Sequence, residues 1–110
     1  MDVFFVYVTV PGEVEAERIA RAAVEGRLAA AANILPGGRS VYRWQGAVNE
    51  AAETVLVLKT AADRLAALTD RVRALHPYEV PCIAALPVVG GLGEYLAWIV
   101  AETRPNTAFP

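Results

Sequence analysis

Residues 33–60 read NILPGGRSVYRWQGAVNEAAETVLVLKT, and this stretch predicts one long β-hairpin around which the rest of the chain is arranged. On its first arm, Tyr42 and Trp44 share one face, because side chains of a strand alternate with a period of two. The second arm, residues 54–60, is apolar on both faces, as expected of a strand that is central in a sheet or covered on both sides. Residues 45–49 supply the turn.

The predicted hairpin is long for so short a chain. An arm of about twelve residues at roughly 3.3 Å per residue reaches about 40 Å, whereas a compact chain of this size has a radius of gyration of about 13 Å. The hairpin therefore extends beyond its own domain and carries Tyr42 and Trp44 on its distal part. Because large aromatic side chains left in water form a costly apolar patch, we expect another subunit to cover them.

The composition indicates one domain, residues 1–110, with a generous core, since 55% of the chain is hydrophobic. The 10 Lys and Arg residues are scattered among 12 Asp and Glu, which argues against nucleic acid as a partner. No apolar run approaches the roughly 20 residues of a membrane span, and the first residues do not resemble a signal peptide. With Cys82 as the single cysteine, the chain has no internal disulfide. We expect a cytoplasmic protein.

The remaining segments alternate between strand and helix patterns. Residues 3–10 are a β-branched and aromatic run that predicts a buried strand, and residues 13–28 change to the period of a helix with glutamates in its first turns. Residues 60–63 fit a capping pattern at the start of a second helix, which Pro77 ends. A short apolar strand at 82–86, a third helix at 94–104 and a tail at 105–110 follow.

This order predicts an α+β fold: a ferredoxin-like βαββαβ sandwich with a long hairpin between its second and third strands and an extra C-terminal helix. Right-handed crossovers place the first two helices on one face of a four-stranded antiparallel sheet. The opposite face then carries large hydrophobic side chains and needs a cover, either neighbouring subunits or the third helix. Residues 36–38, PGG, predict a bulge in the first hairpin arm, because proline removes a ladder donor and glycine tolerates a bent backbone.

Several spaced motifs resemble the CutA family of divalent-cation tolerance proteins. They are NILPG at 33–37, SVYRWQG at 40–46, Glu53, KT at 59–60, LPV at 86–88, YLAWI at 95–99 and, above all, HPYEVP at 76–81. The resemblance implies a ferredoxin-like subunit, a tight homotrimer joined through the extended hairpins, and a role in tolerance of copper and other divalent metals. It also implies kinship in fold with the trimeric PII signalling proteins, which bind small ligands in clefts between subunits.

Two positions depart from the pattern of the family. Family members often carry cysteine in the small-residue run before the Asn-Ile-Pro-Gly motif, whereas residues 29–32 are all alanine here. The position after Pro81 is commonly glutamate in the family and is Cys82 in this chain. Metal ligation by those family residues is therefore not carried over, whereas His76 matches.

Metal binding is the first candidate activity. His76, Glu79 and Cys82 are spaced three and three, and histidine and thiolate favour Cu²⁺ or Zn²⁺. Against a site within one subunit, a histidine at a helix end commonly caps the last carbonyls, a free cysteine in an apolar strand is commonly part of the core, and a strand would turn Glu79 and Cys82 to opposite faces. We therefore expect no obligatory cofactor, and weak metal binding through His76 that a second subunit completes.

A small-ligand cleft between subunits is the second candidate site. Lys59, His76 and Tyr78 would be the polar groups around the ligand. Glu53 lies six residues before Lys59 and hence on the same face of the strand, where it would pair with Lys59 or reach into the cleft. The default interpretation of both charged residues is a solvated or paired surface charge.

The aromatic residues Tyr42, Trp44 and Trp98 are expected at a subunit interface rather than stacked on a ligand, because interfaces concentrate Trp and Tyr. No catalytic site is expected: the chain has one histidine, no serine or cysteine with a base beside it and no recognisable pair of carboxylates. The sequence therefore predicts a non-enzymatic homotrimer for divalent-metal tolerance or response. The alternative is a regulatory module like the PII proteins, which would bind a small metabolite or anion between subunits.

Overall fold

The computed structural model describes residues 1–105 and contains a four-stranded antiparallel sheet in the order β2-β3-β1-β4. Its elements are β1 (Val3–Val10), α1 (Glu13–Glu25), β2 (Ala31–Trp44), β3 (Ala47–Ala61), a 3₁₀ turn (Ala62–Arg64), α2 (Leu65–Leu75), β4 (Ile83–Pro87) and α3 (Gly93–Glu102). This is the ferredoxin-like arrangement with an extra C-terminal helix, so the predicted fold is confirmed. Of the predicted tail at 105–110, residues 106–110 lie outside the described residues.

One hydrophobic core lies between the first two helices and one face of the sheet. Val6 and Val8 of β1 pair with Leu58 and Leu56 of β3, and all four side chains are buried. Packed in the same cluster are helix residues from both α1 and α2, namely Ile19, Ala23, Leu68 and Val72. The period of two in the strands and of 3.6 in the helices each presents one apolar face, and their mutual burial stabilises the fold.

The β2–β3 hairpin is longer than the sequence predicts, with arms of 14 and 15 residues. Its turn is only Gln45 and Gly46, with φ angles of 50° and 81°, as in the tight turns that match the twist of paired strands. The prediction of a turn over residues 45–49 was wrong, because two residues with positive φ are enough for pairing to start at Trp44 and Ala47. The predicted bulge is confirmed as a register shift between residues 35 and 38.

The hairpin gives the molecule an elongated shape. Its principal extents are 52 × 32 × 22 Å and its radius of gyration is 14.8 Å, compared with about 13 Å for a compact chain of this length. Near the distal end of the hairpin, Tyr42 and Trp44 are 44% and 41% exposed.

The capping pattern predicted at residues 60–63 does not form. Thr60 is still a strand residue, because the pairing of β3 with β1 continues to Ala61, which lies opposite Val3. The Thr60 hydroxyl donates a hydrogen bond of 2.7 Å to the carbonyl oxygen of Leu28 instead. The 3₁₀ turn that precedes α2 therefore starts after Ala61 without a side-chain cap.

The second face of the sheet is covered only in part. At one end α3 packs over it, where Nζ of Lys59 donates a hydrogen bond of 2.9 Å to the hydroxyl of Tyr95 and lies 5.3 Å from the ring centroid of Phe5. Further along the same face, Tyr7 stays exposed. The third helix thus provides part of the predicted cover, and the remainder of the face is open within one chain.

Candidate functional site

An open groove of ≈ 680 Å³ lies on the face of the sheet that α1 and α2 leave uncovered. Its lining comes from three places: the central strands with Tyr7 and Glu53, the hairpin with Tyr42 and Trp44, and most of residues 77–82 between α2 and β4. On β3, Tyr7 lies opposite residue 57, Tyr42 opposite residue 49 and Trp44 opposite residue 47. Each of these β3 positions is an even number of residues from Glu53, and side chains at even spacing in a strand point to the same face. These four side chains therefore share one face of the sheet.

His76 joins the end of α2 to the sheet beside this groove. The helix ends at Leu75, and His76 has extended backbone, as favoured for a residue before proline. Its Nε2 donates a hydrogen bond of 2.7 Å to the carbonyl oxygen of Thr9, and its Nδ1 accepts one of 3.1 Å from the backbone N–H of Tyr78. With the proton on Nε2, both ring nitrogens are used inside the chain, and the side chain is only 8% exposed.

Tyr78 continues this connection into the groove. Its hydroxyl donates a hydrogen bond of 2.8 Å to Oε2 of Glu53, and its ring centroid lies 4.8 Å from that of His76. Burial, together with the hydrogen bond to Glu53 and the negative charge of Glu53, raises the pKa of Tyr78 to about 12. A chain of hydrogen bonds from Thr9 through His76 and Tyr78 to Glu53 thus holds the segment after α2 against the sheet.

The structure does not bring His76, Glu79 and Cys82 together as a set of metal ligands. Residues 77–82 are not a strand, so the expected alternation is absent, and Glu79 and Cys82 are both exposed and line the same groove. The interpretation of Cys82 as a core cysteine was therefore wrong. Among residues 1–105, no group of three or more His, Cys, Asp or Glu side chains is placed to hold a metal ion. In the segment after α2, one chain contributes the carboxylate of Glu79 and the thiol of Cys82 to the groove.

Of the four predicted cleft residues, Glu53, His76 and Tyr78 are joined and Lys59 is separate. Lys59 lies six residues further along β3, which corresponds to about 20 Å at roughly 3.4 Å per residue, and it contacts Phe5 and Tyr95 instead. It neither pairs with Glu53 nor lines the groove within one chain. The shared strand face was predicted correctly, but residues on one face can lie far apart along it.

The three predicted interface residues fall into two places. Tyr42 and Trp44 line the groove, whereas Trp98 lies on α3 and stacks on Tyr95, with ring centroids 5.7 Å apart and an interplanar angle of 24°. Sequence reasoning did not single out Tyr7, which also lines the groove. The signal was present, because the period of two in residues 3–10 places Tyr7 on the face opposite the core.

A family model and curated relatives both match this chain. The model described as CutA1 divalent ion tolerance protein matches residues 4–102. The divalent-cation tolerance protein CutA of Thermus thermophilus is 52% identical over 102 residues, which cover 93% of this chain and 95% of that protein. Protein CutA of Homo sapiens is 47% identical over 98 residues, which cover 89% of this chain and 55% of that longer protein.

Solved structures agree with this match. CutA from Xylella fastidiosa superimposes with a TM-score of 0.91 at 43% identity, covering 94% of this chain and 100% of that chain. The divalent cation tolerance protein of Thermus thermophilus gives a TM-score of 0.90 at 50% identity, covering 93% and 99%. The resemblance carried by the sequence motifs is confirmed, and the chain belongs to the CutA1 divalent-ion tolerance family.

Proposed function

We propose that this protein acts as a homotrimer in the tolerance of divalent metal ions or in the response to them. The observation that carries the proposal is the family match over residues 4–102 together with 52% identity to a relative named for divalent-cation tolerance. The names of these relatives describe a property of the cell rather than a reaction, which favours a non-enzymatic role. A deletion strain that tolerates added copper and zinc as well as its parent strain does would contradict the proposal.

The exposed hairpin supports association of several copies. Tyr42 and Trp44 stand on a ribbon that projects from the domain, and the open sheet face beside them carries Tyr7. A second copy that covers these rings would remove a large apolar area from water, which is the main favourable contribution to most protein association. The number of three copies comes from the family resemblance.

Sedimentation equilibrium over a range of protein concentrations tests the assembly. We expect a trimer, and we expect the double variant Tyr42→Ala with Trp44→Ala to raise the dissociation constant more than about tenfold, because buried aromatic residues dominate interfaces. Val89→Ser is the control, since Val89 is fully exposed and lies outside the hairpin. A folded monomer at every concentration would contradict the trimer.

Weak binding of Zn²⁺ or Cu²⁺ at the rim of the groove is the second part of the proposal. Glu79 and Cys82 are exposed and free to ligate, whereas His76 would have to give up its bond to Thr9 or to Tyr78. A tight zinc site takes three or four protein ligands, so one chain binds weakly unless a neighbouring copy adds donors.

Calorimetric titration with Zn²⁺ separates the contributions of these residues. We expect Cys82→Ser and Glu79→Gln to weaken binding, with Glu94→Gln as a control at an exposed carboxylate that does not line the groove. His76→Gln tests whether the buried imidazole ligates Zn²⁺, and an unchanged affinity would show that His76 is not a ligand. If Cys82→Ser, Glu79→Gln and His76→Gln all bind Zn²⁺ as tightly as the native protein and the control Glu94→Gln, a metal site at the rim is excluded.

A regulatory module like the PII proteins is the alternative, supported by the size of the groove. A volume of ≈ 680 Å³ falls within the range of small-molecule sites, which is about 300–1,000 Å³. A thermal-shift screen of metal salts against nucleotides and organic acids separates the two functions, because a ligand that binds the native state raises the melting temperature. Stabilisation by a metabolite and by no metal would favour the regulatory module.

We propose a cytoplasmic location, which the exposed, unpaired thiol of Cys82 supports. None of the helices within residues 1–105 is long and apolar enough to cross a membrane. The solved structure of a relative from Archaeoglobus fulgidus is described as that of a periplasmic protein. Fractionation of cells that express the chain would distinguish the two compartments.

A further inference from the structure

A cyclic trimer needs two different contact surfaces on each copy. A surface that pairs with itself generates a two-fold axis and hence a dimer, whereas a closed ring of three joins one surface of each copy to another surface of the next. The projecting hairpin with the exposed rings of Tyr42 and Trp44 provides one of these surfaces. The surface that receives a neighbouring copy therefore includes residues outside the hairpin.

The segment of residues 77–82, here called the strap, has the composition of such a receiving surface. All of its residues except Pro81 line the groove beside Tyr42 and Trp44, so a copy that covers these rings also meets the strap. Its Val80 is 66% exposed, and Glu79 is its one charged side chain. The exposed face of α1, by contrast, carries charged side chains along its length. Because charged residues are depleted in the cores of interfaces, the strap suits a subunit contact better than α1 does.

The strap has no secondary structure that fixes its shape. Within residues 1–105, its backbone groups make no hydrogen bond to another backbone group. Its hydrogen bonds involve side chains instead: the N–H of Tyr78 donates to Nδ1 of His76 at 3.1 Å, and the hydroxyl of Tyr78 donates to Oε2 of Glu53 at 2.8 Å. Glu53 is only 8% exposed and belongs to β3, which lies between β2 and β1 in the sheet. The strap is therefore fixed to the interior of the sheet through one side chain, that of Tyr78.

We propose that the hydrogen bond from Tyr78 to Glu53 is an anchor that gives the strap its shape for a neighbouring copy before the subunits associate. Tyr78 and Glu53 are thus positioning residues of the subunit interface. Without the anchor, the strap would lose its conformational freedom only on association, which weakens binding, whereas an ordered strap has already lost it. The inference rests on the proposed trimer and deepens it, because it gives two residues predicted for a ligand cleft a role in assembly.

The dissociation constant of the trimer tests the anchor. Dilution of protein that carries a fluorescent label at the N-terminus, followed by fluorescence anisotropy, measures this constant even for tight assemblies. We expect Tyr78→Phe, which keeps the ring and removes the hydroxyl, to raise it by about tenfold or more. Thr60→Val is the matched control, because it also removes one side-chain hydrogen bond, to Leu28, and Thr60 does not line the groove. A dissociation constant of Tyr78→Phe equal to that of the native protein or of Thr60→Val would overturn the proposal.

A double variant distinguishes the anchor from a direct contact of the Tyr78 hydroxyl with the neighbouring copy. Glu53→Leu removes the acceptor of that hydroxyl, so we expect Tyr78→Phe to have no further effect in this background, because two changes that break one contact are not additive. An effect of Tyr78→Phe as large in the Glu53→Leu background as in the native protein would overturn the anchor. Should Glu53→Leu fail to fold, the comparison of Tyr78→Phe with Thr60→Val decides. These outcomes leave the trimer intact, whereas a native protein that stays monomeric would contradict the trimer itself and the anchor with it.

Discussion

The hydroxyl of Tyr78 lies 2.8 Å from Oε2 of Glu53 and joins the segment after α2 to the central strand β3. The contact links two positions 25 residues apart in sequence and forms one wall of the groove. Since His76 and Thr9 continue the same chain of hydrogen bonds, the backbone of residues 77–82 is positioned by the sheet rather than by a secondary structure of its own.

The raised pKa of Tyr78 predicts that the stability of the fold falls as the pH rises in the alkaline range. Its pKa is raised from 10.0 to about 12, first by burial and then by Glu53, so the native state favours the protonated phenol. Its contribution is therefore fully present below about pH 10, the pKa in the unfolded chain, and is lost as the pH rises towards about pH 12. We expect Tyr78→Phe to flatten the fall of the urea midpoint across this range. The same fall in the variant and in the native protein would contradict the assignment.

The fold was predictable because its determinants are local. Alternation in residues 3–10 and along the hairpin, together with the helical period after Pro11, is enough to give the element order and hence the sheet topology. The turn length was not predictable from these patterns. Residues 47–49 read as turn residues by composition, but the positive φ of Gln45 and Gly46 closes the hairpin in two residues.

The candidate site was only partly predictable, because its decisive contacts use backbone atoms and distant residues. His76 is tied to the carbonyl oxygen of Thr9, 67 positions away, and a carbonyl oxygen leaves no signature in the sequence. Strand periodicity placed Glu53 and Lys59 on one face, but it does not say which partner each meets. Lys59 meets Tyr95 on α3, whose packing on the sheet is a tertiary property.

Removal of the Thr60 hydroxyl group is expected to lower the free energy of unfolding markedly. Its side chain is fully buried and donates a hydrogen bond of 2.7 Å to the carbonyl oxygen of Leu28. Thr60→Val keeps the shape and leaves that carbonyl without its donor, so we expect a loss of about 1–3 kcal/mol in the free energy of unfolding. Thr69→Val is the control, because the Thr69 hydroxyl bonds to Leu65 within α2, where the backbone amide serves the same carbonyl. Equal losses in urea denaturation would contradict this interpretation.

Arg104 fixes the residues after α3 to the 3₁₀ turn that precedes α2. Its two terminal nitrogens each lie 2.6 Å from one carboxylate oxygen of Asp63, and the hydrogen bond from Arg104 holds the pKa of Asp63 below its usual value. The pair therefore stabilises the native state at neutral pH, and this contribution is lost as the pH falls through the lowered pKa.

We expect Arg104→Gln to lower the melting temperature by a few degrees at neutral pH, with the difference from the native protein shrinking in acid. Arg21→Gln is the matched control, since Arg21 makes a single contact of 3.1 Å to Glu17 on an exposed helix face. A deficit of Arg104→Gln that stays constant down to about pH 2 would show that the lost ion pair is not its cause.

Substitution of Gly46 tests how much the tight turn contributes to the stability of the hairpin. Its φ of +81° lies in the left-handed region, and a Cβ added there would meet no atom within 4 Å. Any cost of Gly46→Ala is therefore a backbone cost rather than a clash, and we expect about 1–2 kcal/mol in the free energy of unfolding. Gly90→Ala is the control, because Gly90 is equally open and does not have a left-handed φ. Urea denaturation of both variants at one protein concentration measures the difference, and equal stabilities would mean that the hairpin tolerates a different turn.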